Sequence, residues 1–325
     1  MPYEFTVEDC DVVDKAGLAV YRAKRSEWLD LLNGTDDHAV WRQISAMLWN
    51  DAVFRMANES RRLSRKAGYP SSARNWSFAQ FMDQGFVATQ TLSIRKLMEK
   101  ASKNPARQVV SLRRVLDDIK AHRHLFTREN YVAHDGLPYD PAPIKQAHFD
   151  RMISRGSGVH REWIDTTGPR AWSMSEQAHE KFDQLSGVTS ENRSRADRIR
   201  ERVFEDVEAM LTESGWESIA EFGNKFVAHA ADAHSRNTLL DGQNGFSLDT
   251  LAKCHRGICR AVAAIEGPIL WEGSHGMMAI PQFNHLDNLS DPWLSPDDVE
   301  ALSAFWDRHV ETVEKWSEAD PFAEP

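Results

Sequence analysis

Cysteine is scarce in this chain, which argues against a fold held together by disulfides. The sequence has 325 residues and three cysteines, Cys10, Cys254 and Cys259, whereas disulfide-dependent domains carry many closely spaced cysteines. Cys254 and Cys259 lie close together beside His255, but a zinc site would need a second pair of ligands at suitable spacing, and none is evident. We therefore predict buried thiols, with no metal and no other cofactor.

Long apolar runs are also missing from the sequence. No stretch approaches the roughly 20 consecutive apolar residues that a membrane-spanning helix needs, and the mean hydropathy is -0.54. The first residues, Met1-Pro-Tyr-Glu-Phe-Thr-Val-Glu-Asp9, lack the basic-then-apolar order of a signal peptide. We therefore expect a cytoplasmic protein that has no membrane partner.

Basic side chains are outnumbered by acidic ones. The chain has 39 Lys and Arg residues against 49 Asp and Glu residues, a formal net charge of -10 at pH 7. This balance argues against a generic nucleic-acid binder, although a local basic cleft can still attract phosphate. The densest basic stretch, Arg193 to Arg202, is interrupted by Asp197 and Glu201. We predict a solvated helix with internal ion pairs there, and contact with RNA phosphates is the alternative.

Alternating strand patterns are absent as well, while apolar residues recur at helical spacing along most of the chain. Helices are predicted over residues 16–32, 40–66, 77–100, 111–121, 142–153, 192–212, 216–235 and 247–270. Thr127 is the predicted cap of a short helix that carries Arg128, and Ser295 is the predicted start of a last helix. The fold class is therefore an all-α multi-helix bundle.

Glycines and prolines mark one internal break in this helical pattern. They concentrate between residues 154 and 175, which predicts an irregular linker or loop. We predict one helical domain over 1–270, with the loop and helix of 271–325 packed on the same bundle. Tryptophans in segments without a helical pattern can stack on bases, or plug a bundle end as their more ordinary role. They are Trp163, Trp172, Trp271 and Trp293.

Two segments place a histidine after an aromatic residue, Val and Ala. One is Arg128-Glu-Asn-Tyr-Val-Ala-His134 and the other is Asn224-Lys-Phe-Val-Ala-His229. Histidine can move a proton near neutral pH, and a cationic side chain can stabilise charge on phosphate oxygens. These groups suffice for attack of an RNA 2′-hydroxyl on the adjacent phosphate without a metal. The ordinary alternatives are a satisfied helix end for His134 and a solvated helix face for His229.

The spacing between cation and histidine differs between the two segments. Lys225 and His229 are four residues apart and share a helix face, whereas Arg128 and His134 are six apart and converge only if the arginine side chain wraps back. Asn224 could donate a hydrogen bond to a phosphate oxygen beside Lys225. These five residues are therefore the catalytic candidates.

The chain resembles the HEPN-type helical proteins of prokaryotes, particularly the AbiU-like abortive-infection group. The resemblance covers roughly residues 40 to 270 and is carried by the segments Thr89–Arg95, Ser111–Leu116, Leu125–Tyr131 and Phe222–Asp232. It implies a HEPN-like bundle, to which this chain adds C-terminal helices. Many members are metal-independent ribonucleases that use Arg, four to six intervening residues and then His, often with a site assembled across a dimer. Several act in phage defence or as toxins.

The motif transfers to this chain only in part. Arg128-x5-His134 fits it literally, whereas the segment ending at His229 has Lys225 as its only cation and lacks the bidentate fork of arginine. A composite site of Arg128 with His229 is a further option. The sequence hypothesis is a HEPN-like metal-independent endoribonuclease that acts on RNA as a homodimer, with an antitoxin or defence protein as partner. The alternative is a catalytically inactive HEPN-like bundle that binds a nucleotide or a protein.

Overall fold

The described part of the chain is built from helices and the turns that join them. The computed structural model describes residues 3–67, 76–156, 158, 163–228, 235, 245–273, 276–278, 282–287 and 295–318. Within these residues no strand forms, so the predicted all-α multi-helix bundle is confirmed. None of their helices has both the length and the apolar character that crossing a membrane requires.

The chain divides into two compact units, Met1–Ala279 and Ile280–Pro325. The first unit contains α1 (Lys15–Asn33), α2 (Val40–Lys66), α3 (Trp76–Leu97), α4 (Leu112–Ala121), α5 (Arg128–Ala133), α6 (Ala142–Ser154), α7 (Trp172–Ser186), α8 (Glu201–Glu213), α9 (Trp216–Phe222) and α10 (Leu248–Ala264). The second contains α11 (Val299–Glu318), which follows a 3-10 turn at Pro296–Asp298. The packing of segment 271–325 on the same bundle stays a prediction.

In the described part of the chain, four α-helices, α1, α4, α5 and α10, begin after a side chain that accepts a backbone hydrogen bond, a signal of the kind that the sequence can reveal. Ser111 Oγ accepts from the Arg114 amide at 3.1 Å in front of α4. Thr127 caps α5, and Ser247 caps α10 by accepting from the Thr250 amide at 3.0 Å. The predicted bounds of α1, α2, α3, α4 and α6 agree with the structure to within three residues, and α10 begins within one residue of its predicted start.

Aromatic rings and one close helix approach fill the core of the first unit. The ring of Trp28 in α1 stacks on Phe126 at 5.4 Å, and Phe126 also meets Phe204 of α8 edge-on at 6.2 Å. α8 packs against α10, and Gly257 makes this possible because a Cβ there would lie 2.4 Å from the Cβ of Ser214. α5 packs against α7, which sets the surroundings of Arg128.

The predicted helix over 192–212 is wrong in its first half. Residues 193–200 form no helix and include a turn at Arg195–Ala196, and α8 begins at Glu201. The reason lies in tertiary contacts, because carbonyls of this segment accept hydrogen bonds from the first amides of α5, Arg128 N to Asp197 O at 2.8 Å and Glu129 N to Arg195 O at 3.2 Å. Its arginines pair across the fold: Arg193 with Asp183 at 2.6 Å and Arg195 with Asp11 at 2.8 Å.

Two π-helical turns change the predicted helices near their ends. The helix predicted over 216–235 is α-helical only to Phe222 and continues as a π-helix over Gly223–Ala228, while residues 229–234 lie outside the described part. After α10 a second π-helical turn, Ile265–Ile269, contains Pro268, whose ring nitrogen cannot donate a hydrogen bond. Such turns occur often at functional sites.

Candidate functional site

Arg128 opens α5 and its guanidinium is enclosed by the protein. The side chain is 0% exposed, with Nη1 2.7 Å from Asp183 Oδ1 and Nε 2.8 Å from Asp197 Oδ2. Nη2 donates to Ser186 Oγ at 3.4 Å, and the group lies 4.9 Å from the centroid of the Phe182 ring. Each guanidinium nitrogen therefore has a protein partner, and two carboxylates offset the charge.

Asp183 is shared between two arginines. Beside its contact with Arg128, it accepts from Arg193 Nη2 at 2.6 Å. Although burial acts in the opposite direction, the hydrogen bonds from Arg193 and Arg128 hold the pKa of Asp183 below its ordinary value. The carboxylate is therefore ionised at neutral pH, and it keeps Arg128 paired.

His134 ends α5 and is buried on a different side of the helix. Its Nδ1 lies 3.0 Å from the Tyr131 carbonyl oxygen, and its ring meets those of Tyr3 and Tyr21 edge-on at 6.2 Å. Burial, together with the nearby charge of Arg25, lowers the pKa of His134 to about 3. A carbonyl oxygen can only accept, so the neutral ring carries its proton on Nδ1 and offers Nε2 as an acceptor.

The structure therefore separates the two members of the Arg-x5-His pattern. Within the described residues, the side-chain partners of Arg128 come from α7 and the non-helical segment 193–200, whereas those of His134 come from α1, α5 and the N-terminal segment. None of these partners is common to both side chains. A phosphate held by Arg128 would first have to displace two carboxylates.

His134 instead borders a cavity of about 340 Å³. Its apolar and aromatic walls come from Tyr3, Leu29, Leu137, Met174 and Trp271, and its polar groups are Arg25, Ser26, His134, Asp135, Thr166, Thr167 and Glu272. The guanidinium of Arg25 is held within the wall, with Nε donating to the Leu270 carbonyl at 3.0 Å and Nη2 donating to Glu272 Oε2 at 2.8 Å. The size is that of a small-ligand site.

Trp271 has an unusual backbone at the edge of this cavity. Its φ is 51°, in the left-handed region where a non-glycine residue is strained. Hydrogen bonds on both sides of Trp271 hold this backbone conformation: Arg25 donates to the Leu270 and Trp271 carbonyls, and the Glu272 amide donates to Glu266 O at 3.0 Å. The backbone from which the Trp271 ring projects is therefore held in place by these contacts.

The second sequence segment has a different environment. Asn224 and Lys225 lie in the π-helical turn after α9, where Gly223 touches Thr91 so closely that a Cβ would lie 2.9 Å from its Cβ. Lys225 Nζ is 2.9 Å from Glu221 Oε1, and Asn224 Oδ1 is buried with no hydrogen-bond partner in the described part of the chain. His229 lies outside the described residues, as do the pairings of His229 with Lys225 or Arg128.

Sequence reasoning missed both the partners of Arg128 and the cavity. α7 was not predicted, although Ala178, Phe182 and Leu185 recur at helical spacing and Gly187 follows as a left-handed C-cap. That pattern could have placed Asp183 on a helix. No local signal brings Arg25 and Glu272 together, because they are 247 residues apart.

The cysteines and acidic groups offer no metal centre in the described residues. Within these ranges no group of three or more His, Cys, Asp or Glu side chains is placed to hold a metal ion. Burial raises the pKa of the Cys254 thiol to about 12 and that of Cys259 to about 11, so both are protonated at neutral pH.

Comparisons with known protein families, with curated proteins and with solved structures find no match to this chain. The resemblance to HEPN-type proteins therefore stays a prediction from the sequence. The geometry around Arg128 and His134 carries the functional argument.

Proposed function

We propose that this protein is a HEPN-like helical binding module for a nucleotide, and that Arg128 and His134 do not cleave RNA. The observation that carries the proposal is the burial of the Arg128 guanidinium between Asp183 and Asp197. Removing one partner from a buried ion pair costs about 3 to 5 kcal/mol, so substrate binding would have to offset a loss of that order before catalysis began.

The state of His134 supports the same conclusion. A ring with a pKa of about 3 is neutral near pH 7 and cannot serve there as the general acid that protonates a leaving group. Its position beside a cavity of about 340 Å³ suits ligand binding instead, because sites for small molecules begin near that volume.

Equilibrium dialysis of the purified protein against labelled nucleoside mono-, di- and triphosphates tests this proposal. We expect saturable binding of at least one nucleotide. If no nucleotide binds at protein concentrations up to the millimolar range, the protein is not a nucleotide-binding module.

A second candidate function is RNA cleavage by the other segment, with Asn224, Lys225 and His229 as its groups. It is favoured by the buried Asn224 Oδ1 that lacks a partner in the described residues, since such atoms in native proteins need an explanation and this amide oxygen can accept a hydrogen bond from a ribose 2′-hydroxyl. If this candidate is correct, we also propose what the resemblance implies: a role in phage defence or as a toxin, a homodimer, and an antitoxin or defence protein as partner.

The two candidates differ in what substitutions do to RNA cleavage. If the second is correct, the parent cleaves RNA in excess EDTA, and His229→Ala and Lys225→Ala abolish the cleavage while His134→Ala does not. Lys253→Ala, a lysine substitution in α10, serves as the matched control. Equal cleavage by the parent, His229→Ala and Lys225→Ala would exclude this candidate.

A further inference from the structure

We propose that the cavity beside His134 binds an uncharged, planar nitrogen heterocycle, such as the base of a nucleoside, and holds it without contacting a phosphate. This inference rests on the proposed function and names the part of the nucleotide that the protein recognises. It follows from three features of the cavity: its charges, its hydrogen-bonding groups and its aromatic walls.

The charges that line the cavity are already paired with each other or with neighbouring groups. Arg25 is 2.8 Å from Glu272 and also donates to two backbone carbonyls. Asp135 accepts from the Phe5 amide at 3.0 Å and lies 3.8 Å from Arg22. A phosphate in the cavity would lie near two carboxylates and one guanidinium that is already paired. A cationic amine would lie near carboxylates that already have partners. An uncharged ligand therefore fits best.

The hydrogen-bonding groups that remain suit a heterocycle with N–H and carbonyl edges. The His134 side chain is more than nine-tenths buried, and its Nε2 has no partner in the described part of the chain, although the ring borders the cavity. A neutral Nε2 accepts a hydrogen bond, which the N–H of a base can donate. The hydroxyls of Ser26, Thr166 and Thr167 can donate as well as accept, so they suit both kinds of edge.

The aromatic walls provide flat apolar surface for such a ring. Tyr3 and Trp271 both line the cavity, and the backbone contacts of Arg25 fix Trp271 in its left-handed conformation. Bases stack on aromatic side chains whatever their sequence. Leu29, Leu137 and Met174 add apolar contact around the ring.

Trp271→Gly is the decisive substitution because it removes the ring without straining the backbone; its folding is checked by circular dichroism, since the ring also packs on Tyr131. Glycine adopts a φ near 51° readily, so the variant keeps the backbone that Arg25 holds. Trp163→Gly is the matched control, since Trp163 is 95% exposed and does not line the cavity. Thr167→Val tests a hydroxyl on the cavity wall with little change of shape.

The experiment is calorimetric titration of the parent and these variants with adenosine, guanosine, cytidine, uridine, the corresponding monophosphates and putrescine as a cationic probe. We expect at least one nucleoside to bind, its monophosphate to bind no more tightly, and putrescine not to compete. Trp271→Gly should weaken nucleoside binding about fivefold or more, and Trp163→Gly should leave it unchanged.

Failure of this inference can be told apart from failure of the proposed function. Nucleotide binding that is unchanged in Trp271→Gly, or much tighter with the phosphate present, would overturn the cavity assignment and leave the binding module standing. Competition by putrescine would also overturn it. Absence of binding for every nucleoside and nucleotide would overturn both.

Discussion

The guanidinium of Arg128 illustrates how the surroundings of a residue decide its role. Its place six residues before a histidine suggests phosphate chemistry, yet its nitrogens reach Asp183, Asp197 and Ser186. These carboxylates lie 55 and 69 residues further along the chain. No local pattern in the sequence indicates such distant partners. The motif could therefore be found in the sequence, whereas the burial of Arg128 could not be predicted from it.

Replacing Arg128 should destabilise the protein strongly. In Arg128→Met the carboxylates of Asp183 and Asp197 lose a buried partner, and we expect the free energy of unfolding to fall by about 3 kcal/mol or more. Arg123→Met is the control, because the pair of Arg123 with Glu201 is largely exposed and should contribute less than about 1 kcal/mol. Urea unfolding measures both, and equal stability of Arg128→Met and the parent would contradict a structural role.

His134 should make stability depend on pH. The unfolded ring titrates near 6.5 and the folded one near 3, so the unfolded state takes up more protons as the pH falls. The contribution of neutral His134 to the free energy of unfolding is complete above about pH 6.5 and is lost progressively as the pH falls toward 3. Between pH 7 and pH 5 we expect the parent to lose about 2 kcal/mol relative to His134→Phe. Unfolding curves at both pH values that fall equally for the two proteins would show that His134 is not buried in its neutral form.

At the scale of secondary-structure elements, prediction succeeded where local chemistry sets the outcome. Apolar spacing predicted α1, α2, α4 and α10, and Ser111 marked the start of α4, because these signals act within one or two helical turns. The non-helical conformation of segment 193–200 could not be predicted in this way. Its conformation is held by the amides of Arg128 and Glu129, which are distant in sequence.

The π-helical turn after α9 depends on close packing at Gly223. Gly223→Ala should lower the free energy of unfolding by about 1 to 3 kcal/mol, because the added Cβ would lie 2.9 Å from Thr91 Cβ. Gly85→Ala in α3 is the matched comparison: no atom lies within 4 Å of its Cβ, and the substitution should stabilise the helix by about 0.5 to 1 kcal/mol. Thermal unfolding in which both variants shift in the same direction would contradict this packing.

At the scale of the whole molecule, the net charge is consistent with the uncharged ligand proposed for the cavity. A chain with a net charge of -10 repels nucleic-acid backbones in general, and the cavity beside His134 offers no unpaired cation among its described lining residues. Composition alone predicted the first point. The second required the pairing of Arg25 with Glu272, which only the folded chain reveals.

Binding through an uncharged base should be insensitive to salt. Between 50 mM and 500 mM salt we expect nucleoside affinity to change less than about twofold, because no ion pair forms with the ligand. Contacts with several phosphates would instead weaken binding by orders of magnitude over such a range. Titrations at the two salt concentrations measure the difference, and a steep loss would indicate that phosphate is the group recognised.

The central claim is that Arg128 and His134 stabilise and shape a binding protein and do not cleave RNA. Incubation of the purified protein with mixed cellular RNA in excess EDTA, beside His134→Ala protein checked for folding, tests this claim most directly. We expect any cleavage by the parent to persist unchanged in His134→Ala, and RNA to stay intact if the protein is only a binding module. Chelator-resistant cleavage that disappears in a folded His134→Ala variant would contradict it.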